Sequence, residues 1–442
     1  MDTGHAAWLL TSASLVLLMT PGLALFYGGM TRVTSVLNMM LMSFGAMGGV
    51  VVVYVLWGWS MSYGPDLFGA GAAGLVGDPL DQLGLTGTAP DDYLTVGFQM
   101  TFAVIAAALV SGAVADRTKF STWMVFVPLW VTLCYFPLAH MVWGGGFLSG
   151  SAGALADRLQ AAVSPIDYAG GTVVHINAGM AGLVLALLLG SRHGFGTHVM
   201  RPHNMPLTML GAGLLWFGWY GFNVGSFVPS TPAGSTQFAT SFVGETGLVW
   251  VNTTAAAAAG MLGWLLYERL REPRSTSLGA ASGVVAGLVA VTPACGAVSP
   301  VGALLLGAGA GVACAGAVGW KFRLGYDDSL DVVGVHLVGG LVGTVGVGAL
   351  STSTGLLYGH GTDQLLVQAA VALFAMAWSG VFTLVVGLAL KAVMGWRVTH
   401  EHEIAGVDSL MHGETAYDFV LRPTPGRVAW RGALGAAATL DD

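Results

Sequence analysis

Apolar residues run through this chain in long blocks, and polar residues collect between them. About 20 residues of helix span a hydrocarbon core. By that measure the chain carries eleven blocks, at 7–30, 36–62, 93–115, 121–143, 168–190, 206–228, 244–267, 277–296, 300–320, 332–354 and 363–396. Backbone in lipid must satisfy its own hydrogen bonds, so blocks of this length predict helices. The first block is long, ends in Pro21, Gly22 and Tyr27, and lacks a basic start with a cleavage site. It is expected to be a mature helix and not a signal peptide.

Composition agrees with the blocks. Of 442 residues, 55% are apolar and 9% charged, against roughly 25% charged in a soluble domain. Such a chain cannot cover a water-facing surface, and it is too apolar to be disordered. Glycine occurs 67 times without a Gly-X-Y period, which excludes collagen. Small residues in apolar segments let helices approach closely, the mark of a packed bundle. Cys134, Cys295 and Cys314 lie in apolar stretches with no CxxC pair and read as buried packing residues. The net charge of −7 is carried by loops and tail and implies no nucleic-acid partner.

The charge pattern adds orientation. Arg32 follows the first block, and the next loop, 63–92, has five Asp and no basic residue. Arg117 and Lys119 follow, then a loop with Arg158 alone, then Arg192 and Arg201, then none. Arg269, Arg271 and Arg274, then Lys321 and Arg323, continue the alternation with base-free loops between them. The tail carries Arg397, Arg422, Arg427 and Arg431. Basic loops face the cytoplasm, so the N-terminus is expected outside and the C-terminus inside a multi-pass cell membrane protein. Helices one to five (about 7–190) and six to ten (about 206–354) then form two inverted repeats, which place a site at their interface near the midplane. The eleventh block, the longest, is left as a tilted peripheral helix. Residues 1–396 make the membrane domain and 397–442 a cytoplasmic tail.

Three groups inside the apolar blocks carry chemistry. Asp167 opens the fifth helix, where a carboxylate suits the helix dipole and caps free N–H groups. His175 lies about 12 Å deeper along that helix. Asp331 opens the tenth helix from the opposite face, with His336 about 7–8 Å inward. Ionisable residues at membrane depth are functional candidates, and two in matching positions of opposed repeats outweigh the alternative of satisfied core histidines. The third group is aromatic and polar. Phe98, Gln99 and Phe102 open the third helix, Trp143 ends the fourth, and Trp219, Phe222, Asn223 and Ser226 close the sixth, all on the outer side. An interfacial aromatic belt would account for any single Trp. Aromatic faces together with a hydroxyl would hold a small cation, by an attraction worth ~0.5–2 kcal/mol. His400-Glu401-His402-Glu403 has the letters of a metal cluster, but its spacing and tail position predict a solvated segment, so no metal and no cofactor is expected.

PGLALFYGG (21–29), FQMTF (98–102), AHMVWGGG (139–146), DYAGGTVVHINAG (167–179), GWYGFNVGS (218–226), VTPACG (291–296), DDSLDVVGVH (327–336) and HGETAYD (412–418) occur in order along the chain. In these motifs the sequence resembles the ammonium transporter family, the Amt/Mep branch of the Amt/Mep/Rh superfamily, over nearly its whole length. The resemblance implies an all-α fold of eleven transmembrane helices with inverted five-helix repeats, assembled as a homotrimer with a pore in each subunit. It implies an outer recruitment site of Trp143, Phe102 and Ser226, a gate of Phe102 stacked on Phe222, and paired pore histidines, His175 and His336. Asp167, Trp219, Phe98 and Gln99 would support these without touching the ion. The tail motif implies docking of a PII-type nitrogen regulatory protein. Departures from the family pattern are a long 143–167 loop, Leu337 where Gly is common, and Val224 where Ala is usual.

The function so implied is transport and not enzymatic catalysis: ammonium, and methylammonium with it, would be captured outside, deprotonated near the gate, and conducted as ammonia. A neutral imidazole both donates and accepts, so a His–His pair can pass a proton by tautomer exchange. An ammonium sensor signalling through a partner is the alternative, although no signalling domain follows the eleventh block. A bis-histidine haem site would need the same two ligands and a pocket for the ring. A neutral-gas channel would have no use for a cation cage.

Overall fold

The computed structural model describes residues 2–68, 74–198, 200–230 and 235–417. Among the described residues no strand occurs, only three isolated bridges between loops. A helical segment lies in each of the apolar blocks: α1 (Thr3–Met30), α2 (Val36–Tyr63), α3 (Asp92–Val114), α4 (Phe120–Val142), α5 (Gly171–Leu189), α6 (205–224), α7 (Thr236–Arg271), α8 (Ser277–Val291), α9 (Pro300–Leu324), α10 (Val333–Leu350) and α11 (Asp363–Val393). Among the described residues, nine of these are long and apolar enough to cross a membrane. The remaining two are α8, with 15 residues, and α6, whose 15-residue α-helical part runs into a wider turn.

The longest helix is α7, with 36 residues against 31 in α11, which corrects the expectation from apolar run length. Ser235 caps α7 by accepting from Phe238 N at 3.0 Å. The helix then runs through a polar stretch, Thr236 to Glu245, before its apolar part begins. Helical hydrogen bonding does not require apolar side chains, so a hydropathy window misses such a turn. Close packing of α7, α8 and α9 rests on missing side chains. A Cβ at Gly311 would strike Gly260 O, and one at Gly287 would strike Ala256 O.

The start of α5 is built on one carboxylate. Asp167 accepts from Gly170 N (2.9 Å), Gly171 N (2.6 Å), Thr172 N (3.0 Å) and Val173 N (3.2 Å). These are the orphan donors of a first helical turn, which would otherwise need water. Gly170 makes the turn into the helix at φ 117°, a conformation that suits glycine.

At α10 the structure corrects the sequence reading. The capping acid is Asp328, which accepts from Val332 N (3.1 Å) and Val333 N (2.7 Å). Asp331 instead pairs with Lys321 Nζ at 2.6 Å and turns the chain at φ 64°. The matching positions of α5 and α10 are therefore Asp167 with Asp328, Gly170 with Asp331 and His175 with His336. The carboxylate stands eight residues before the histidine in both cases.

The two helices run in opposite directions. Arg192, just after α5, meets Asp327, just before α10, with its guanidinium on both carboxylate oxygens (2.9 and 2.8 Å). The end of α5 thus lies beside the start of α10. Helix α11 crosses both, with Ser379 Oγ donating to Asn177 O (2.8 Å) and Gln368 Nε2 donating to Thr344 O (2.9 Å). Trp130 Nε1 adds a bond from α4 to Thr383 Oγ1 (2.9 Å). The eleventh helix lies at the periphery, the least buried of the candidate spans, and is fastened there by these polar contacts.

The end of the bundle marked by Arg192 and Asp327 gathers most of the basic loops. Arg192 also reaches Asp116 (2.9 Å), Arg32 lies 3.7 Å from the same carboxylate, and Arg117 lies 3.9 Å from Asp327. The chain after α11 docks onto this surface. Glu403 is buried, holding Arg397 (2.6 Å) and accepting from His193 N (2.6 Å). Asp408 accepts from Leu37 N and Asn38 N at the start of α2 (2.9 and 2.8 Å). Of the His400–Glu403 segment only Glu403 is buried, while His400 and Glu401 are exposed as expected, and no metal-binding group of three or more ligands forms among the described residues. Arg422, Arg427, Arg431 and Asp418 lie outside the described residues.

Two outcomes follow from these contacts. Burial alone would raise the Asp327 carboxyl, but the Arg192 hydrogen bonds and the charges of Arg192 and Arg117 outweigh it and hold it below the usual carboxylate range. A depressed carboxyl stabilises the fold fully above its unfolded value of about 4, and that contribution is lost as pH falls through the lower folded value. Thermal unfolding in detergent should show wild-type stability dropping below roughly pH 4. Arg192→Ala should be about 3–5 kcal/mol less stable at neutral pH, because two buried carboxylates lose a partner. In the same assay Asp328→Ala and Asp167→Ala should each cost about 1–2 kcal/mol. Asp331→Ala, which removes only a partly exposed pair, should cost under about 1 kcal/mol. A larger loss from Asp331→Ala than from Asp328→Ala would reverse the pairing of the repeats.

Candidate functional site

The first turns of α5 and α10 deliver the two histidines. Both turns, Gly171–Ile176 and Val333–Leu337, are wider than an α-helix. In α5 the His175 N–H reaches back five residues to Gly170 O at 3.0 Å. Wide turns of this kind recur at functional positions, where they re-aim a side chain. Here they bring the rings together. His175 Nδ1 and His336 Nδ1 are 3.3 Å apart, with ring centroids at 5.4 Å and planes 20° apart. One Nδ1 must carry the proton and the other accept it. Both rings are buried, and His175 Nε2 has no hydrogen-bond partner among the described residues.

A continuous aromatic column leads away from this pair. Trp219 lies over His175 at 5.5 Å, 20° from parallel, and its Nε1 donates to Thr292 Oγ1 at 2.9 Å. Phe222, one turn on, is 6.0 Å from His175 and stacks on Phe102 at 4.1 Å and 17°. Both Phe rings are fully buried, and at that spacing nothing fits between them. Trp143 meets the edge of Phe102 at 6.0 Å and 87°. Its Nε1 donates to Asp167 O at 2.9 Å, so the residue that caps α5 also fixes the indole. Phe98 supports Phe102 from its own helix at 4.8 Å. Gln99 lines the cavity beyond, with Phe98 and Ser226. The Ser226 hydroxyl donates to Phe222 O at 2.8 Å, which leaves its oxygen lone pairs free to accept.

Two cavities flank the column. One of about 380 Å³ is lined by Phe98, Gln99, Ser226, Asp91 and Asp92. The other, of about 390 Å³, is lined by Arg192, His198, Lys321, Ser329 and Asp331 at the basic end. Between them stand the two phenylalanines and the two histidines. The ten residues expected to form the recruitment site, the gate, the histidine pair and their support lie along this line or beside it. Thr292 and Asp328 were not singled out. The eight-residue spacing shared by Asp167–His175 and Asp328–His336 would have found Asp328. Nothing local in the sequence marks Thr292 as the partner of Trp219. The departures at Val224 and Leu337 are absorbed by packing, since both side chains are buried and Val224 O accepts from Trp8 Nε1.

The arrangement suits a small cation on one side of the aromatic pair and a neutral, hydrogen-bonding solute on the other. Comparison with known proteins points the same way. An ammonium transporter from Mycobacterium bovis is 50% identical to this chain over 452 residues, covering 95% of this chain and 91% of its own. A structure titled Sensor Amt Protein superposes with a TM-score of 0.79 at 29% identity, over 91% of this chain and 97% of its own. The Saccharomyces cerevisiae Mep2 crystal structure does so with a TM-score of 0.76 at 29% identity, over 90% and 91%. The sequence model of the Ammonium Transporter Family matches residues 7–417. This chain is a member of that family.

Proposed function

We propose that this protein is an ammonium transporter of the cell membrane, taking up ammonium or methylammonium from the outside. The observation that carries the reading is the unbroken series of contacts from Trp143 through Phe102 and Phe222 to His175 and His336. In this reading all eleven helices cross the bilayer, α1–α5 and α6–α10 form the inverted repeats, and the N-terminus lies outside. Residues 1–396 form the transport domain. The gathering of basic loops at one end of the bundle supports a cytoplasmic C-terminus.

The steps follow from the chemistry of the column. Trp143 and Phe102 face a cation with π-density, and Ser226 accepts one N–H bond. That recruitment is worth ~0.5–2 kcal/mol, far less than the cost of taking an ammonium ion out of water. The ion therefore gives up its proton at the Phe102–Phe222 gate, and ammonia passes as the rings swing apart. Below the gate the unpartnered His175 Nε2 gives ammonia its polar contact. The Nδ1–Nδ1 bond gives the released proton a route by tautomer exchange. Homotrimeric assembly and docking of a PII-type protein at the cytoplasmic face complete the proposal. The part of the tail motif seen here is anchored, with His412 Nε2 on Asn38 Oδ1 (2.9 Å) and Tyr417 OH on His203 Nε2 (3.0 Å).

Ammonium-evoked current in proteoliposomes on a solid-supported membrane tests the mechanism. Trp143→Ala should raise the half-saturating ammonium concentration by about 2- to 30-fold. His175→Ala with His336→Ala should abolish the current or its selectivity; an undiminished current of unchanged selectivity sinks the proton route. For the partner, a pull-down of a PII-type protein from membranes should lose its signal when residues 398–442 are removed. Equal recovery counts against docking there.

A further inference from the structure

His140 stands within the AHMVWGGG motif, three residues before Trp143 on α4. The transport mechanism makes no use of it. Its side chain is buried, and a buried imidazole needs partners for its polar atoms. Nε2 has one, Asp66 Oδ1 at 2.7 Å. A carboxylate only accepts, so Nε2 carries the proton. Asp66 comes from the acidic loop after α2 and is half-buried. Nδ1 has no hydrogen-bond partner among the described residues. It faces the backbone of Gly144, where a Cβ would lie 2.8 Å from it.

Helix α4 ends at Trp143, and the last carbonyls of a helix need donors from beyond it. The glycine turn supplies them. Gly144 N and Gly146 N each donate to His140 O at 3.0 Å, and Leu148 N donates to Met141 O at 2.9 Å. Gly145 turns the chain at φ 89°. The turn closes directly on the imidazole, since a Cβ at Gly146 would lie 3.0 Å from His140 Cδ2. The ring is the filling of the turn that follows Trp143. The loop after α2 holds this turn from outside. Phe147 N donates to Gly74 O at 2.9 Å, and a Cβ at Gly74 would strike Asp66 Oδ1. Trp143 is thus held twice, at its indole by Asp167 O and at its backbone by the filled turn. Helix ends open more readily than helix middles. A cation gains from an aromatic face only within about 6 Å of the ring centre. A small displacement of the Trp143 backbone therefore reaches the cation site.

We propose, on the reading of Trp143 as the recruiting indole, that Asp66 and His140 are positioning residues, a latch between the outer loop and α4 that sets ammonium affinity by fixing Trp143. Two measurements on the full-length protein in proteoliposomes test it. Hydroxyl-radical oxidation of Trp143, mapped by peptide mass spectrometry, reads the indole's position without transport. Ammonium-evoked current gives the half-saturating concentration and the maximal current separately. Asp66→Ala should increase Trp143 oxidation and raise the half-saturating concentration about 2- to 10-fold, the worth of one hydrogen bond, with maximal current retained. Gly74→Ala, which displaces Asp66 without altering either member of the pair, should do the same. Asp66→Asn keeps an acceptor for Nε2–H and should restore both readings. In a Trp143→Ala background Asp66→Ala should add no further rise, because residues that act through one another are not additive. Unchanged Trp143 oxidation in both Asp66→Ala and Gly74→Ala would overturn the latch. So would a loss of maximal current at unchanged half-saturation, or an undiminished Asp66→Ala effect without Trp143. An unchanged half-saturating concentration in Trp143→Ala alone falls on the recruitment reading instead: it would strip the latch of its part in affinity, while the oxidation measurement still decides whether the pair holds the indole.

Discussion

A helix that begins among apolar neighbours exposes backbone donors with no water to take them. Two carboxylates meet that demand in this protein, and the buried histidine pair is arranged around them. Asp167 holds four N–H groups at the start of α5, and Asp328 holds two at the start of α10. Each fixes a wide first turn, and each wide turn aims one histidine. Were either turn to relax, the 3.3 Å contact between the rings would be lost. Asp167 does more, because its own carbonyl holds the Trp143 indole. One residue thereby couples the outer aromatic site to the buried histidines.

The helices α5 and α10 are held in register from both sides. At the basic end, the bidentate Arg192–Asp327 pair joins the end of α5 to the start of α10. Buried ion pairs contribute little net stability but strongly disfavour alternatives that leave a charge unpaired. Across the bundle, α11 ties both halves with side-chain bonds to backbone carbonyls of α5 and α10. The segment after α11 then closes over the basic loops through Glu403 and Asp408. The surface at the basic end of the bundle is therefore built jointly from tail and loops, and a change in one reaches the other through named contacts.

The aromatic column shows how two kinds of chemistry share one path. Stacked at 4.1 Å, Phe102 and Phe222 exclude solvent between a polar outer cavity and a buried, hydrogen-bonding pair. Neither ring is special in composition, since the chain holds 19 Phe. Their role comes from lying between Trp143 and His175. Trp219 illustrates the same point. Expected as a supporting residue, it lies flat over His175 and is pinned by Thr292.

The sequence by itself determined the helical class and the approximate place of each helix, and it singled out the residues that the fold brings into one column. These follow from run length, from charge alternation and from ionisable groups in apolar surroundings, all of which are local or summed properties. It misjudged what depends on direction and partner choice. Asp331 and Asp328 are both acids near the start of α10, and only the backbone turn at φ 64° shows that Asp331 points to Lys321 while Asp328 caps the helix. Within His400 to Glu403, only Glu403 departs from the solvent-facing expectation, because Arg397 and His193 enclose it. The polar start of α7 is invisible to hydropathy, because backbone hydrogen bonds and not apolar side chains carry the helix there. Tertiary structure decided which donor each acceptor meets, since a hydrogen bond is set by a distance and an angle that residues far apart in the chain acquire only on folding.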